Sequence, residues 1–232
     1  MIDVRQQQFR GLTTWELTGE GDAGAGSPAE QTEQLLIDLG FACETLGGSL
    51  SDLVFIRFWM RSRAISKEVR AVRRKLIDDK ERTASSSFFS TTVFQGPGDI
   101  RINALYCPDH RNSARKPVEF DPPRRYLHYL AHGNGLFTSG MAEAGVSIEE
   151  QCQKSLAWLD EALQAEELQW SNVCQLNLFR ERGQNIDWAP VLSTLATRND
   201  PEATVITLFD VDGMASPDKH LEIELIATRP GH

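Results

Sequence analysis

The residues in this chain most able to do chemistry are a histidine pair, a run of hydroxyls, a cationic stretch and a set of scattered thiols. His128 and His132 stand four apart in YLHYLAH. On a helix that spacing offers two imidazoles to one metal, but this segment has a strand pattern, where positions four apart also share a face. The only third histidine nearby, His110, falls in a proline-rich stretch, so no metal centre is expected. Cys43, Cys107, Cys152 and Cys174 lack CxxC spacing, which argues against a zinc ribbon or a dithiol redox site and for reduced bystander thiols. Ser85, Ser86 and Ser87 put three hydroxyls in a row, either lining a polar pocket or marking an exposed edge. From Arg57 to Lys75 the chain carries eight cations interleaved with Ile65, Val69, Val72 and Leu76 near helical spacing, which reads as the solvated face of an amphipathic helix.

These residues must be positioned by elements, and the elements come in two sets. Gln31 to Leu36 (QTEQLL) lies over Gln151 to Leu156 (QCQKSL), and Ser51 to Ile56 over Ser171 to Leu176. Leu17-Thr18-Gly19 lies over Thr138-Ser139-Gly140, and Ile100 to Leu105 over Leu221 to Ile226. All four matches keep chain order at a period of about 120 residues, which makes duplication the better account. Each half then predicts the same order: a strand (Thr13 to Thr18; Gly135 to Thr138), a long helix (Pro28 to Leu46; Ile148 to Ala165), and a strand (Leu53 to Trp59; Val173 to Phe179). A second helix (Ser66 to Ile77; Trp188 to Leu195) and two closing strands (Ser87 to Phe94 with Asp99 to Tyr106; Ala203 to Phe209 with His220 to Ala227) follow. In LEIELIA, alternation sets Glu222 and Glu224 on one face and Leu221, Ile223 and Leu225 on the other. CPDHRNSARKPVEFDPPRR is rich in proline and charge without periodicity, which predicts domains over 1–106 and 125–232 joined by a linker over 107–124.

Composition narrows the partners. The chain has 232 residues, 41% hydrophobic and 25% charged, and no apolar run near the roughly 18 residues of a membrane span. MIDVRQQQFRG has neither an apolar h-region nor a cleavage site, so a cytoplasmic location is expected. A net charge of −9 repels a phosphate backbone, and no nucleic-acid partner is expected; an RNA site would have to rest on residues 57–75.

The second half is the more telling. Tyr126 to Gly140, YLHYLAHGNGLFTSG, with a tyrosine followed 14 residues later by the end of GNxLxTSG, resembles the opening strands of the reactive intermediate deaminase (RidA/YjgF) family. SNVCQLNLF and LEIELIA sit where that family has strands, and the first half matches more weakly. The resemblance implies an α+β fold of two tandem RidA-like (chorismate mutase-like) domains, each a mixed sheet with two helices on one face. It also implies homo-oligomers, here trimers of two-domain chains, with small-molecule sites in clefts between domains. The implied chemistry is hydrolysis of an imine or enamine on a carboxylate-bearing substrate. It needs a guanidinium for the carboxylate and a carboxylate or water to assist attack, and no cofactor.

Carried over residue by residue, the family's arginine falls on Arg82, followed by Thr83, and its last-strand glutamate on Glu224. Tyr126, Ser139 and Gly140 fall on substrate-binding positions, as do Gly19 and Thr83 in the first half. Ala203 replaces the arginine in the second half, and Asn103 and Arg5 replace the glutamate and tyrosine in the first. These complementary departures fit one composite site, Arg82 facing Tyr126, Ser139, Gly140 and Glu224; independent decay of two copies would leave the same pattern. A ligand-binding or regulatory protein without turnover is the alternative function.

Overall fold

The computed structural model describes residues 1–78, 82–108, 115–144, 147–184, 186, 189–198 and 204–229. The first half runs β1 (Ile2–Phe9), β2 (Leu12–Glu20), α1 (Pro28–Thr45), β3 (Leu53–Met60), α2 (Ser66–Arg73), β4 (Ala84–Phe89) and β5 (Ile100–Tyr106). There follow β6 (Lys116–Val118), β7 (Tyr129–His132), β8 (Gly135–Thr138), α3 (Ile148–Ala165), β9 (Val173–Glu181), α4 (Ala189–Arg198), β10 (Val205–Val211), β11 (Gly213–Met214) and β12 (Leu221–Thr228).

The two long helices begin on the same local device. Ser27 Oγ accepts the Glu30 N–H while the Glu30 carboxylate accepts the Ser27 N–H at 2.7 Å; Ser147 and Glu150 repeat this capping box. The next residue is also repeated in role. Gln31 accepts the Asp99 N–H, and Gln151 the His220 N–H, both at 2.9 Å, which explains why a buried glutamine heads each helix motif. Each half therefore ties its long helix to the start of its last strand.

Two six-stranded mixed sheets result, ordered β1-β2-β5-β3-β4-β11 and β10-β9-β12-β8-β7-β6. The pairs β3–β4 and β9–β10 are parallel and joined through α2 and α4, while the other pairs are antiparallel. One apolar core lies between α1 and the first sheet (Leu35, Leu39, Ile56, Phe58, Ile102), and another between α3 and the second (Leu156, Leu159, Leu176, Ile223, Leu225). The remaining sheet faces meet each other. Phe55, Ala84, Leu130, Phe137 and Ile226 pack there, and Phe88 stacks on Phe179 at 4.0 Å between centroids. Covering both faces is why β12 is buried along its whole length rather than alternately.

Three features depart from the sequence reading. IDVRQQQF has no alternating apolar face, yet it forms β1, because a two-residue turn at Arg10 and Gly11 (φ +36° and +88°) pairs it with β2 as an edge strand. The fourth strand begins at Ala84 rather than Ser87, so the serines lie inside it, buried between the halves. β11 leaves the second half to pair with β4 of the first sheet. The expected linker, partly outside the described residues, carries β6. Among the described residues, no helix is long and apolar enough to cross a membrane.

Candidate functional site

Where the first half's α2 and β4 meet the second half's β8 and β12, a cleft of about 760 Å³ opens. Among the described residues its walls carry seven cations, Arg70, Arg73 and Arg74 from α2 and the turn after it, Arg82, Arg124, Arg125 and Lys219, against a single carboxylate, Glu222. The stretch read as a solvated helix face is thus turned inward in part: Arg73 is only 9% exposed, its guanidinium donating to Ser85 Oγ at 2.7 Å and lying 5.3 Å from the Phe58 ring. Amphipathic periodicity marks the polar face of a helix without telling whether water or another domain covers it.

Only some of the cations are paired locally. Arg82 pairs with Glu119, and Arg124 with Glu143 at 2.7 Å, while Arg74 and Arg125 have no ion pair among the described residues. Burial, then the charges of Arg73, Arg125 and Arg63, push the Arg70 pKa down, a sign of a crowded positive field. In a chain with a net charge of −9, the cleft concentrates the opposite sign.

Glu222 stands against this field in an unusual state. Its side chain is 4% exposed overall, and among the described residues no hydrogen bond holds its carboxyl. Burial pushes its pKa up to about 8; Glu224 adds to the rise, while Lys219 and Arg57 oppose it. Gly140 makes the place: a Cβ there would lie 1.6 Å from Glu222 Oε1, so only glycine lets the carboxyl sit beside the backbone. Tyr126 also lines the cleft, its hydroxyl accepting from Arg124 and Lys219, each at 3.3 Å.

The positions suggested by the sequence separate into two groups. Arg82, Tyr126 and Gly140 line the cleft together. Ser139 lies directly behind, fully buried, accepting the Ser85 N–H at 3.0 Å while Gly140 N–H donates to the Ser85 carbonyl at 3.2 Å. Thr83 points away and donates to the Leu53 carbonyl at 2.9 Å, and Gly19 packs against Ile2 and Leu35 in the first half. Glu224 is not among the cleft-lining residues. It lies between the sheets, receiving both Nε (3.1 Å) and Nη2 of Arg57, Ser86 Oγ, and Asn177 Nδ2 at 3.1 Å. Glu222, two residues earlier on the same face of β12, occupies the cleft instead. Alternation had already set these two carboxylates on one face; which of them meets the cleft depends on where the first half docks.

The other chemical candidates are quiet. His128 is stacked on Phe120, its Nε2 2.9 Å from the Trp158 carbonyl, and burial lowers its pKa. Among the described residues no three His, Cys, Asp or Glu side chains cluster as metal ligands. All four thiols are buried, and burial pushes Cys43 up to about 12 and Cys152 up to about 11.

No protein-family model and no curated protein matches the chain. Among solved structures, a chorismatase superposes with a TM-score of 0.65 at 17% identity, covering 97% of this chain and 80% of that one. A YjgF family member from Neisseria meningitidis matches 51% of this chain and 98% of its own (20% identity, TM-score 0.43). RidA from an Antarctic Psychrobacter matches 50% and 100% (15% identity, TM-score 0.42). Over nearly the whole chain the fold is that of the chorismatase, two halves that are each a mixed sheet with helices packed on one face.

Proposed function

We propose that this chain is a small-molecule hydrolase whose cleft binds a substrate with more than one carboxylate, and that Glu222 is its general acid. The observation that carries this reading is the placement of the buried Glu222 carboxyl, its pKa pushed up to about 8 by burial, in a cleft whose other described charged residues are all cations. A carboxylate on the substrate gains a charge-assisted pair with each guanidinium it meets, and the cations lining the cleft are numerous enough to serve two such groups. A neutral carboxylic acid among them can donate a proton where an ionised one would be held by salt bridges.

The reaction this suits is cleavage of an electron-rich double bond next to a carboxylate, an enamine or an enol ether. Glu222 protonates the terminal carbon, water adds to the resulting cationic carbon, and the adduct collapses to a keto acid plus an amine or an alcohol. The enamine case is the deaminase chemistry that the RidA resemblance implies. The enol-ether case is favoured by the number of cations and by likeness over 97% of the chain to a protein described as a chorismatase, a name that points to chorismate, a dicarboxylate.

Keto-acid release from chorismate and from 2-aminoacrylate generated in place, compared in wild type and Glu222→Gln, decides between them. Turnover of the dicarboxylate above that of the monocarboxylate is expected, with a loss of about 10²-fold or more in Glu222→Gln, the usual contribution of a general acid. Faster turnover of 2-aminoacrylate would favour the deaminase. Release from neither would leave the cleft as a binding site without turnover.

A further inference from the structure

A serine hydroxyl is both donor and acceptor, and what it offers a ligand depends on which capacity its fixed neighbours already use. Two serines on the cleft wall are committed in opposite senses. Ser85 Oγ accepts from Arg73, a group that can only donate, so the Ser85 proton stays available. Ser86 Oγ donates to Glu224, a carboxylate that only accepts, so its proton is committed inward.

The second commitment is firm because of what stands behind it. Glu224 is 3% exposed and takes two hydrogen bonds from Arg57 and one from Asn177 besides that of Ser86. Arg57 lies among the rings of Phe55, Trp59, Phe179 and Phe209, with its guanidinium 5.0 to 5.9 Å from their centroids. Arg57 and Ser86 are paired neighbours on β3 and β4, as Glu224 and Asn177 are on β12 and β9, so the group is assembled by register from both sheets. A desolvated ion pair held by this many hydrogen bonds has little freedom to turn.

We propose that the Arg57–Glu224 pair fixes Ser86 as a hydrogen-bond acceptor in the cleft, so that the site selects a ligand carrying a hydroxyl or amine donor beside its carboxylates. Arg57 and Glu224 touch no ligand in this scheme; they are positioning residues, and Ser86 is the specificity determinant. The inference rests on the reading of the cleft as a diacid site.

Calorimetric titration of the full chain with succinate and with malate, which differ by one hydroxyl, tests it. Wild type should bind malate about threefold to tenfold more tightly, the worth of one neutral hydrogen bond. Ser86→Ala should erase that preference, bringing the ratio of malate to succinate affinity to about one. The paired change Arg57→Met with Glu224→Leu, its fold checked by circular dichroism, should narrow the preference because the freed hydroxyl can turn. Equal binding of both diacids by wild type, or a malate preference that survives Ser86→Ala, overturns the assignment of Ser86. Binding of neither diacid instead removes the diacid reading, and the inference with it.

Discussion

Glu222 makes the pH dependence of folding a readout of the proposed acid. The folded chain keeps its proton to about pH 8, while the unfolded chain releases it near the ordinary value of 4.5. Between those limits the folded state binds more protons, so this group's contribution to stability falls as pH rises through the window and its full cost stands above pH 8. Each pKa unit is worth about 1.4 kcal/mol, which puts the cost on the order of a few kcal/mol. Glu222→Gln, neutral and nearly isosteric, should therefore melt at a higher temperature than wild type at pH 9 and close to it at pH 4.5. Scanning calorimetry at the two pH values checks this without a substrate. A constant difference across pH would mean that Glu222 is ionised throughout and is no acid at neutral pH. The residue itself was visible in the sequence only as one of two carboxylates alternating along LEIELIA. Nothing local distinguishes Glu222 from Glu224; the difference is Gly140 on one side and Arg57 on the other, both remote in the chain.

At the scale of elements, the sequence was legible where an apolar stripe at helical spacing repeats in both halves, and the structure adds the local device that starts each stripe. Ser-x-x-Glu followed by a glutamine and an apolar stripe opens both α1 and α3, and the boundaries of these helices follow from it. Replacing the cap serine removes one satisfied N–H, at a cost of about 1 kcal/mol. Ser27→Ala and Ser147→Ala should each lower the melting temperature by about 2–4 °C, as expected for a chain of this size. Because the two caps lie in different halves and share no partner, their costs in urea unfolding should add within about 0.5 kcal/mol. Strong non-additivity would show that one helix leans on the other's cap, which the separate cores exclude. Elements without such a device were the ones missed. β1 has no apolar alternation because it is an edge strand with one side open, and β6 and β11 are two to three residues long, held by partners rather than by propensity.

For the whole molecule, the question is whether two copies of one fold behave as two domains. Each has its own helix–sheet core, which by itself would allow independent unfolding. The surface between them argues otherwise. Trp59, Phe88, Phe179, Val211 and Met214 form a buried cluster drawn from both halves, β11 is shared, and the buried Arg57–Glu224 pair joins the two sheets. Breaking such a pair by removing one partner costs about 3–5 kcal/mol, and emptying a stacked phenylalanine site costs a similar amount. Independent opening of one half would break the aromatic cluster and the ion pair at once. Unfolding in urea followed by tryptophan fluorescence and by far-ultraviolet dichroism should therefore give coincident single transitions. Phe179→Ala should destabilise by about 3–5 kcal/mol, and by removing the stacking partner of both Phe88 and Phe209 it should be the change that first separates the two probes. Two resolved transitions in the wild-type chain would show that the halves are joined only loosely. In that case a cleft built from both walls would not be held in one geometry, and a general acid at Glu222 would lose the fixed cations it works against.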